Sequence, residues 1–334
     1  MGGGPGHGEQ ASTAAGRRDR CFCVSVLTTG TDARCPVCGG RDLRPRFRAG
    51  GRPQRGRVDG ESFRPSAELF GSTSGPVLRC QTCGHAAVVD APQQNSILEA
   101  YTESDDPVSL REAEGQVETA RRALARIERS LSPGRLLDLG CWTGSLMEAA
   151  RRRGWAPVGI EPSRWAAAEA RRRGFEVAGN DLFAHQLPPH SFRLVVMGDV
   201  LEHLTEPLRA LRTVRDLLEP EGGLFLTVPN AGSLVARTLG RRWWSVLPMH
   251  LQYFTRGSLE LALRQSGFQV EWSRSHAKAF SMRYYAERLE GYSPLVARST
   301  VGALRVMRLA DRMWAPDFHD RLQVLARPLP PGVG

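Results

Sequence analysis

Four cysteines stand in two pairs, Cys35 and Cys38 in CPVCGG and Cys80 and Cys83 in CQTCGH. Thiolates so spaced form a soft tetrahedral donor set, and the glycine after each second cysteine lets backbone N–H groups turn toward sulfur. The pattern reads as a closed structural zinc site, not as disulfides. Cys21 and Cys23 read as free thiols on an arm, and Cys141 as a small apolar filler. The second constellation is LLDLGCWTG at 136–144. An apolar run carrying Asp138 meets a bend between Gly140 and Gly144, and a helix begins near Ser145. Backbone bent at glycine beside a helix N-terminus can approach a ligand closely and offer it N–H groups. Glu161 closes the next apolar run, where a carboxylate can accept hydrogen bonds from both hydroxyls of a ribose. The Gly140-x-x-x-Gly144 spacing is not the GxGxxG of nicotinamide dinucleotide sites. His203 in DVLEHL and His250 in PMHLQYFT are candidate general bases. Asp199, Glu202 and His203 have the spacing of one helical face, as a ligand set for a divalent cation would need.

These residues must be carried by something. The chain has 334 residues, 41% hydrophobic and 24% charged, enough for a folded domain plus an appendage. No apolar run is long enough for a membrane span, and the Gly/Ala/Arg-rich N-terminus lacks the apolar core of a secretory signal, so a cytoplasmic address is expected. The net charge of +10 invites a nucleic-acid reading. Against it, Lys278 is the sole lysine among 45 basic residues, which suggests a coding bias toward arginine, and the arginines are scattered as on solvated helix faces. A nucleic-acid substrate is therefore not expected.

Residues 1–34 read as a disordered arm, 35–90 as a zinc-ribbon-like module with a loop over 41–76, and 91–133 as a helical linker. From 134 to 328 short apolar runs alternate with helical ones: RLLDLG, APVGIEP, FEVAGND, FRLVVMGD, GGLFLTVPN, FQVEWSRS and finally DRLQVLARP. One helix is expected over VLEHLTEPLRALRTVRDLL, and a helical insert at about 281–316 precedes the last strand. Such alternation predicts an α/β fold, a doubly wound, Rossmann-like, seven-stranded sheet with its ligand at the carboxyl ends of the strands.

Asp138, Gly140 and Gly144, Glu161 in VGIEPS, GNDL around Asp181, and LVVMGDVLEHL together resemble motifs of the class I S-adenosylmethionine-dependent methyltransferases. The resemblance covers about 134–328, and Trp142 departs from it by replacing a glycine. The indole must point away from the cofactor or form part of the pocket wall. The resemblance implies that Asp138, Gly140, Cys141 and Gly144 meet the amino-acid and ribose parts of S-adenosyl-L-methionine. It further implies that Glu161 binds the ribose diol, that Asp181 and Leu182 meet the adenine, and that Met197 and Gly198 lie beside the sulfonium. His250 is the better base candidate, because segments after the fifth strand roof the acceptor site in this fold. Asp199, Glu202, His203 and His250 resemble the divalent-metal set of small-RNA 2′-O-methyltransferases and some ubiquinone-type O-methyltransferases. The expected function is methyl transfer to an oxygen of a small-molecule, glycan or lipid-linked acceptor. Alternatives are a non-catalytic scaffold that uses the zinc module to dock a protein partner, and a nucleic-acid methyltransferase.

Overall fold

A computed structural model describes residues 1–2, 33–47, 67–89 and 91–330. Cys21 and Cys23, most of the expected arm and the middle of the loop expected at 41–76 lie outside the described residues.

Three short strands, β1 (Leu43–Pro45), β2 (Val77–Cys80) and β3 (Ala86–Val88), form an antiparallel sheet around the paired cysteines. The start of the expected loop is thus a strand, with Leu43 opposite Cys80. Leu43 has an apolar patch to pack on, made by Ala87 and Val89, which a reading of its polar neighbours could not reveal. The helical stretch that follows divides into α1 (Gln94–Thr102) and α2 (Ala113–Ile127), joined by a 3₁₀ turn at Pro107–Glu112. Asp106 caps that turn by accepting the Ser109 N–H at 3.3 Å.

The alternating region runs β4 (Arg135–Leu139), α3 (Ser145–Arg151), β5 (Ala156–Ile160), α4 (Arg164–Arg172), β6 (Glu176–Gly179), β7 (Phe192–Gly198), α5 (Pro207–Leu217), β8 (Leu218–Pro229) and α6 (Leu234–Leu239). It continues through β9 (Gln252–Tyr253), α7 (Arg256–Gln265), β10 (Phe268–Ser275), β11 (Phe280–Ser281), α8 (Met282–Glu287), α9 (Pro294–Val306), β12 (Met313–Trp314) and β13 (Arg321–Pro328). The seven strands expected from the apolar runs form one sheet of order β10-β13-β8-β7-β4-β5-β6. The neighbours from β8 to β6 pair in parallel, and β13 is wedged antiparallel between β8 and β10. This is a doubly wound α/β sheet.

Side-chain alternation along the strands explains why both faces are covered. Leu136, Leu194 and Phe225 pack against α2 and α3, while Leu137, Val195 and Leu224 pack on the opposite face with α5 and α7. Each fully buried side chain of this size contributes roughly 1.5–3 kcal/mol. The single helix expected after β7 is broken. Leu201–His203 is a 3₁₀ turn, and α5 starts only at Pro207, which lacks an N–H and pushes the residue before it out of helical conformation. Gln94 of α1 holds the break by accepting from the Thr205 N–H and hydroxyl at 2.9 and 3.0 Å.

The cysteine-bearing sheet is completed by the larger domain. β9 pairs antiparallel with β3, giving the order β1-β2-β3-β9. Among the described residues, no helix is long and apolar enough to cross a membrane.

Candidate active site

A cleft opens at the carboxyl ends of β4, β5, β6 and β7, beside the point where strand order reverses around β4. Its floor is formed by Gly140, Ile160, Asp181, Leu182, Asp199 and Val200, and His203 lines one end. Ile97, Leu98 and Tyr101 of α1 roof it. Sequence reasoning treated α1 as linker. Its apolar spacing gave a helix but not the surface that the helix would cover.

The loop after β4 is bent by residues with left-handed backbone. Gly140 has φ +71°, and a Cβ there would lie 2.8 Å from Val200 Cγ2. Gly144 has φ +82° at the start of α3, where a Cβ would lie 2.9 Å from the Phe175 ring. Trp142 adopts φ 48° without being glycine, a conformation that costs an L-residue roughly 1–2 kcal/mol. Its indole turns to the roof. The ring N–H donates to Ser109 Oγ at 3.0 Å, and the indole meets Tyr101 and Trp165 edge-on at centroid distances of 6.2 and 5.5 Å. Trp142 thus ties the loop to the elements that cover the cleft.

Glu161 is 1% exposed. Its Oε2 accepts the Trp142 N–H at 2.7 Å and its Oε1 accepts the Ser163 N–H at 2.8 Å. Burial pushes its pKa up to about 7 despite those two donors. Asp138, also buried, is pushed up to about 8, by burial first and then by Glu161. No ion pair reaches either carboxyl among the described residues. Neither carboxyl lines the cleft, although Ile160 and Pro162, on either side of Glu161, do. Cys141 is buried below the loop, its Sγ 2.5 Å from where a Cβ on Gly159 would stand. Met197 is fully buried in the core and the neighbouring Gly198 is exposed, and neither lines the cleft.

At the His203 end the structure corrects the expected four-residue metal set. Asp199 has φ 59° and lies outside the 3₁₀ turn, so it shares no helical face with Glu202 and His203. Its carboxylate accepts from Lys278 Nζ, Arg321 and, at 3.2 Å, Thr227 Oγ1. Burial alone would raise its pKa, but Arg321 and Lys278 hold it far below the usual carboxylate range. The remaining three converge: ligand atoms of Glu202, His203 and His250 lie within 4.8 Å of one another. Glu202 is fully buried, neither of its oxygens has a hydrogen-bond partner, and burial followed by Asp199 pushes it up to about 8. His203 Nδ1 donates to Met249 O at 3.0 Å and His250 Nδ1 to Ser245 O at 2.7 Å. The rings stand 4.9 Å apart. Burial, then His203, lowers His250 to about 3, and burial lowers His203.

The cysteine pairs meet as expected from their spacing. Sγ atoms of all four lie within 4.8 Å, with Cys35–Cys83 at 3.6 Å and Cys38–Cys80 at 3.5 Å. Four sulfurs around zinc at roughly 2.3 Å would have edges of about 3.8 Å, so the cluster has the right size. Gly39 and Gly84 have φ +70° and +75°, the turn behind each pair that lets the chain reverse around the sulfurs.

Residues 111–272 match the family described as "Methyltransferase domain". Among curated relatives, the ubiquinone biosynthesis O-methyltransferase of Caulobacter sp. (strain K31) is 33% identical over 133 residues, covering 36% of this chain and 52% of that protein. The protein of the same name from Aeromonas salmonicida (strain A449) is 32% identical over 103 residues, covering 29% of this chain and 43% of that one. The chain spans about half the length of the curated relatives it matches. Among solved structures, a methyltransferase of Thermotoga maritima described as a possible histamine N-methyltransferase is 17% identical, with a TM-score of 0.45 over 66% of this chain and 91% of that one.

Proposed function

We propose that this chain, whose residues 111–272 are a methyltransferase domain, binds S-adenosyl-L-methionine in the cleft and moves its methyl group to an oxygen of a small-molecule, glycan or lipid-linked acceptor. The observation that carries the reading is the glycine-bent loop after β4, which opens on a cleft lined by Gly140, Asp181 and Leu182, with two buried carboxyls behind it. Asp138 and Glu161 have no cationic partner among the described residues, and burial holds both near neutrality. A ligand with an ammonium and vicinal hydroxyls suits such a pair. The oxygen acceptor is supported by the curated relatives, which are O-methyltransferases.

When bound, the donor supplies a methyl group activated on sulfonium. In this reading Glu161 meets the ribose, Asp138 anchors the loop and the amino-acid end, and Asp181 with Leu182 meets the adenine. Gly140, Cys141 and Gly144 supply close backbone. The Met197 backbone and Gly198, at the end of β7, would be beside the reacting end. The roof of α1, held by Trp142 and Gln94, keeps water out and the partners aligned.

The two histidines carry the proton on Nδ1, because each Nδ1 faces a carbonyl. The Nε2 of each is therefore the proton-accepting atom. At about 3, His250 is a weak base for an alcohol at neutral pH. A divalent cation fits the three-residue cluster, since it would satisfy the unpartnered oxygens of Glu202. Glu202, His203 and His250 would hold it, and it would lower the pKa of an acceptor hydroxyl. Cys35, Cys38, Cys80 and Cys83 would hold a structural zinc, a thiolate set that suits the reducing cytoplasm. The pairing of β3 with β9 supports a role for that module inside this chain, as a brace for the loop carrying His250.

Isothermal titration with S-adenosyl-L-methionine tests the reading. Wild type is expected to bind, and Glu161→Ala and Asp181→Ala to bind weakly or not at all. A wild type that does not bind would remove the enzyme reading and favour the scaffold.

A further inference from the structure

The insert between β10 and β13 has an unusual surface. Of the ten large hydrophobic side chains exposed among the described residues, six fall between 295 and 318: Leu295 (75% exposed), Val296, Val306 (85%), Met307, Trp314 and Phe318. Four of them belong to α9 or its C-cap, and they are not scattered around the helix. Leu295 and Val306 lie on one line at helical spacing, with exposed Ser299 and Gly302 between them and exposed Val296, Ala303 and Met307 to one side, while Ala297 and Leu304 on the opposite side are buried. Ala297 and Leu304, with partly buried Val301, pack α9 onto the insert. The outward stripe is a second apolar face with nothing against it in this chain's described residues.

The charge around the stripe is one-sided. The segment 291–310 contains no acidic residue. Arg298 and Arg305, seven residues apart and both exposed, run along one border of the stripe, and Arg308 stands exposed just past the helix end. No salt bridge engages any of the three among the described residues; the arginine of the insert that is so engaged is Arg283, with Asp311. Trp314, 48% exposed, packs on Tyr285 of α8 and adds an amphipathic ring to the same insert.

We propose that α9 is an interfacial helix that docks the protein on an anionic lipid surface, with Leu295, Val306 and Met307 entering the acyl boundary and Arg298, Arg305 and Arg308 meeting lipid phosphates. A helix with an apolar stripe bordered by arginines and free of acids has the pattern of a peripheral membrane anchor. A protein partner for the same face would have to supply an apolar groove edged by acids. A second copy docking through its own α9 would not do so, since α9 has no acid to meet its twin's arginines. The contacts that carry the proposal lie outside the cleft, so it stands or falls apart from the methyl-transfer reading.

The test is co-sedimentation of the full chain with vesicles of phosphatidylcholine alone and of phosphatidylcholine with phosphatidylglycerol. The expected result is binding to the anionic vesicles, weakening as salt is raised, and little binding to the neutral ones. Val306→Glu with Met307→Glu is expected to abolish binding with an unchanged melting temperature, because neither side chain is in the core. Arg298→Gln and Arg305→Gln are each expected to weaken binding about 5-fold. No binding at low salt, equal binding to both vesicle types, or a dimer in sedimentation velocity that Val306→Glu dissolves would each overturn the proposal.

Discussion

Replacing Trp142 by glycine separates two opposed effects. Glycine relieves the left-handed backbone, a gain of roughly 1–2 kcal/mol, though it also frees the unfolded chain and returns about half of that. The substitution removes the indole hydrogen bond to Ser109, worth roughly 1 kcal/mol, and edge-on contacts with Tyr101 and Trp165, worth roughly 0.5–1.5 kcal/mol each. The losses exceed the gain, so Trp142→Gly is expected to destabilise the fold by about 1–3 kcal/mol, a fall of about 2–4 °C per kcal/mol in the melting temperature. Because the lost contacts join the loop to the cleft's roof, the same energy should appear in ligand binding. The dissociation constant for S-adenosyl-L-methionine should rise about 5–150-fold by isothermal titration. Ser109→Ala removes the hydrogen bond without relieving strain, and should weaken binding about 5-fold. If Trp142→Gly raised the melting temperature and left the dissociation constant unchanged, the indole would be a tolerated strain and its role as a clasp would be refuted.

Asp138 and Glu161 have folded pKa values raised to about 8 and about 7, so the ligand-free fold keeps protons that the unfolded chain gives up near pH 4. Their contribution to stability is full below about pH 4 and is lost as pH rises through 7 and 8. The melting temperature of the free protein should fall between pH 6 and 8.5, and saturating donor should flatten that slope; a slope of opposite sign in the free protein would contradict the buried-acid picture. Metal analysis should find one zinc per chain. Cys80→Ser, in a residue 1% exposed, should lower that content and loosen the β3–β9 pairing, seen as faster amide exchange at Val88, whose N–H donates to Leu251 O, and at Tyr253. Asp199→Asn leaves Lys278 and Arg321 facing a neutral group and should cost about 3 kcal/mol in urea unfolding, whereas Lys278→Met should cost less because Arg321 still neutralises the carboxylate.

The strands were legible because each is a short apolar run bounded by turn residues, and β7 in particular is buried on both faces along nearly its whole length. The glycine bend was legible for a different reason: only glycine escapes the penalties that Val200 and Phe175 would impose at Gly140 and Gly144. The cysteine cluster was legible from spacing alone. What spacing could not convey was direction. Asp199 and His203 are four residues apart, yet a positive φ sends the Asp199 carboxylate to Lys278 and Arg321, which arrive from the far end of the chain. One signal was present and unread. In a chain that uses arginine at every other basic position, the retained Lys278 sits against the half-buried carboxylate of Asp199 at the cleft's edge. The pairing of β9 with β3 had no local trace, because a two-residue strand has no period of its own. The antiparallel place of β13 likewise lies in its pairing with β8 and β10, not in its own residues.

Photo-crosslinking with methyl-labelled S-adenosyl-L-methionine, followed by peptide mapping, tests the central claim most directly. The account predicts label on peptides from α1, the 139–144 loop and residues 180–183, competed away by S-adenosylhomocysteine. Label confined to other surfaces, or none above a denatured control, would contradict it.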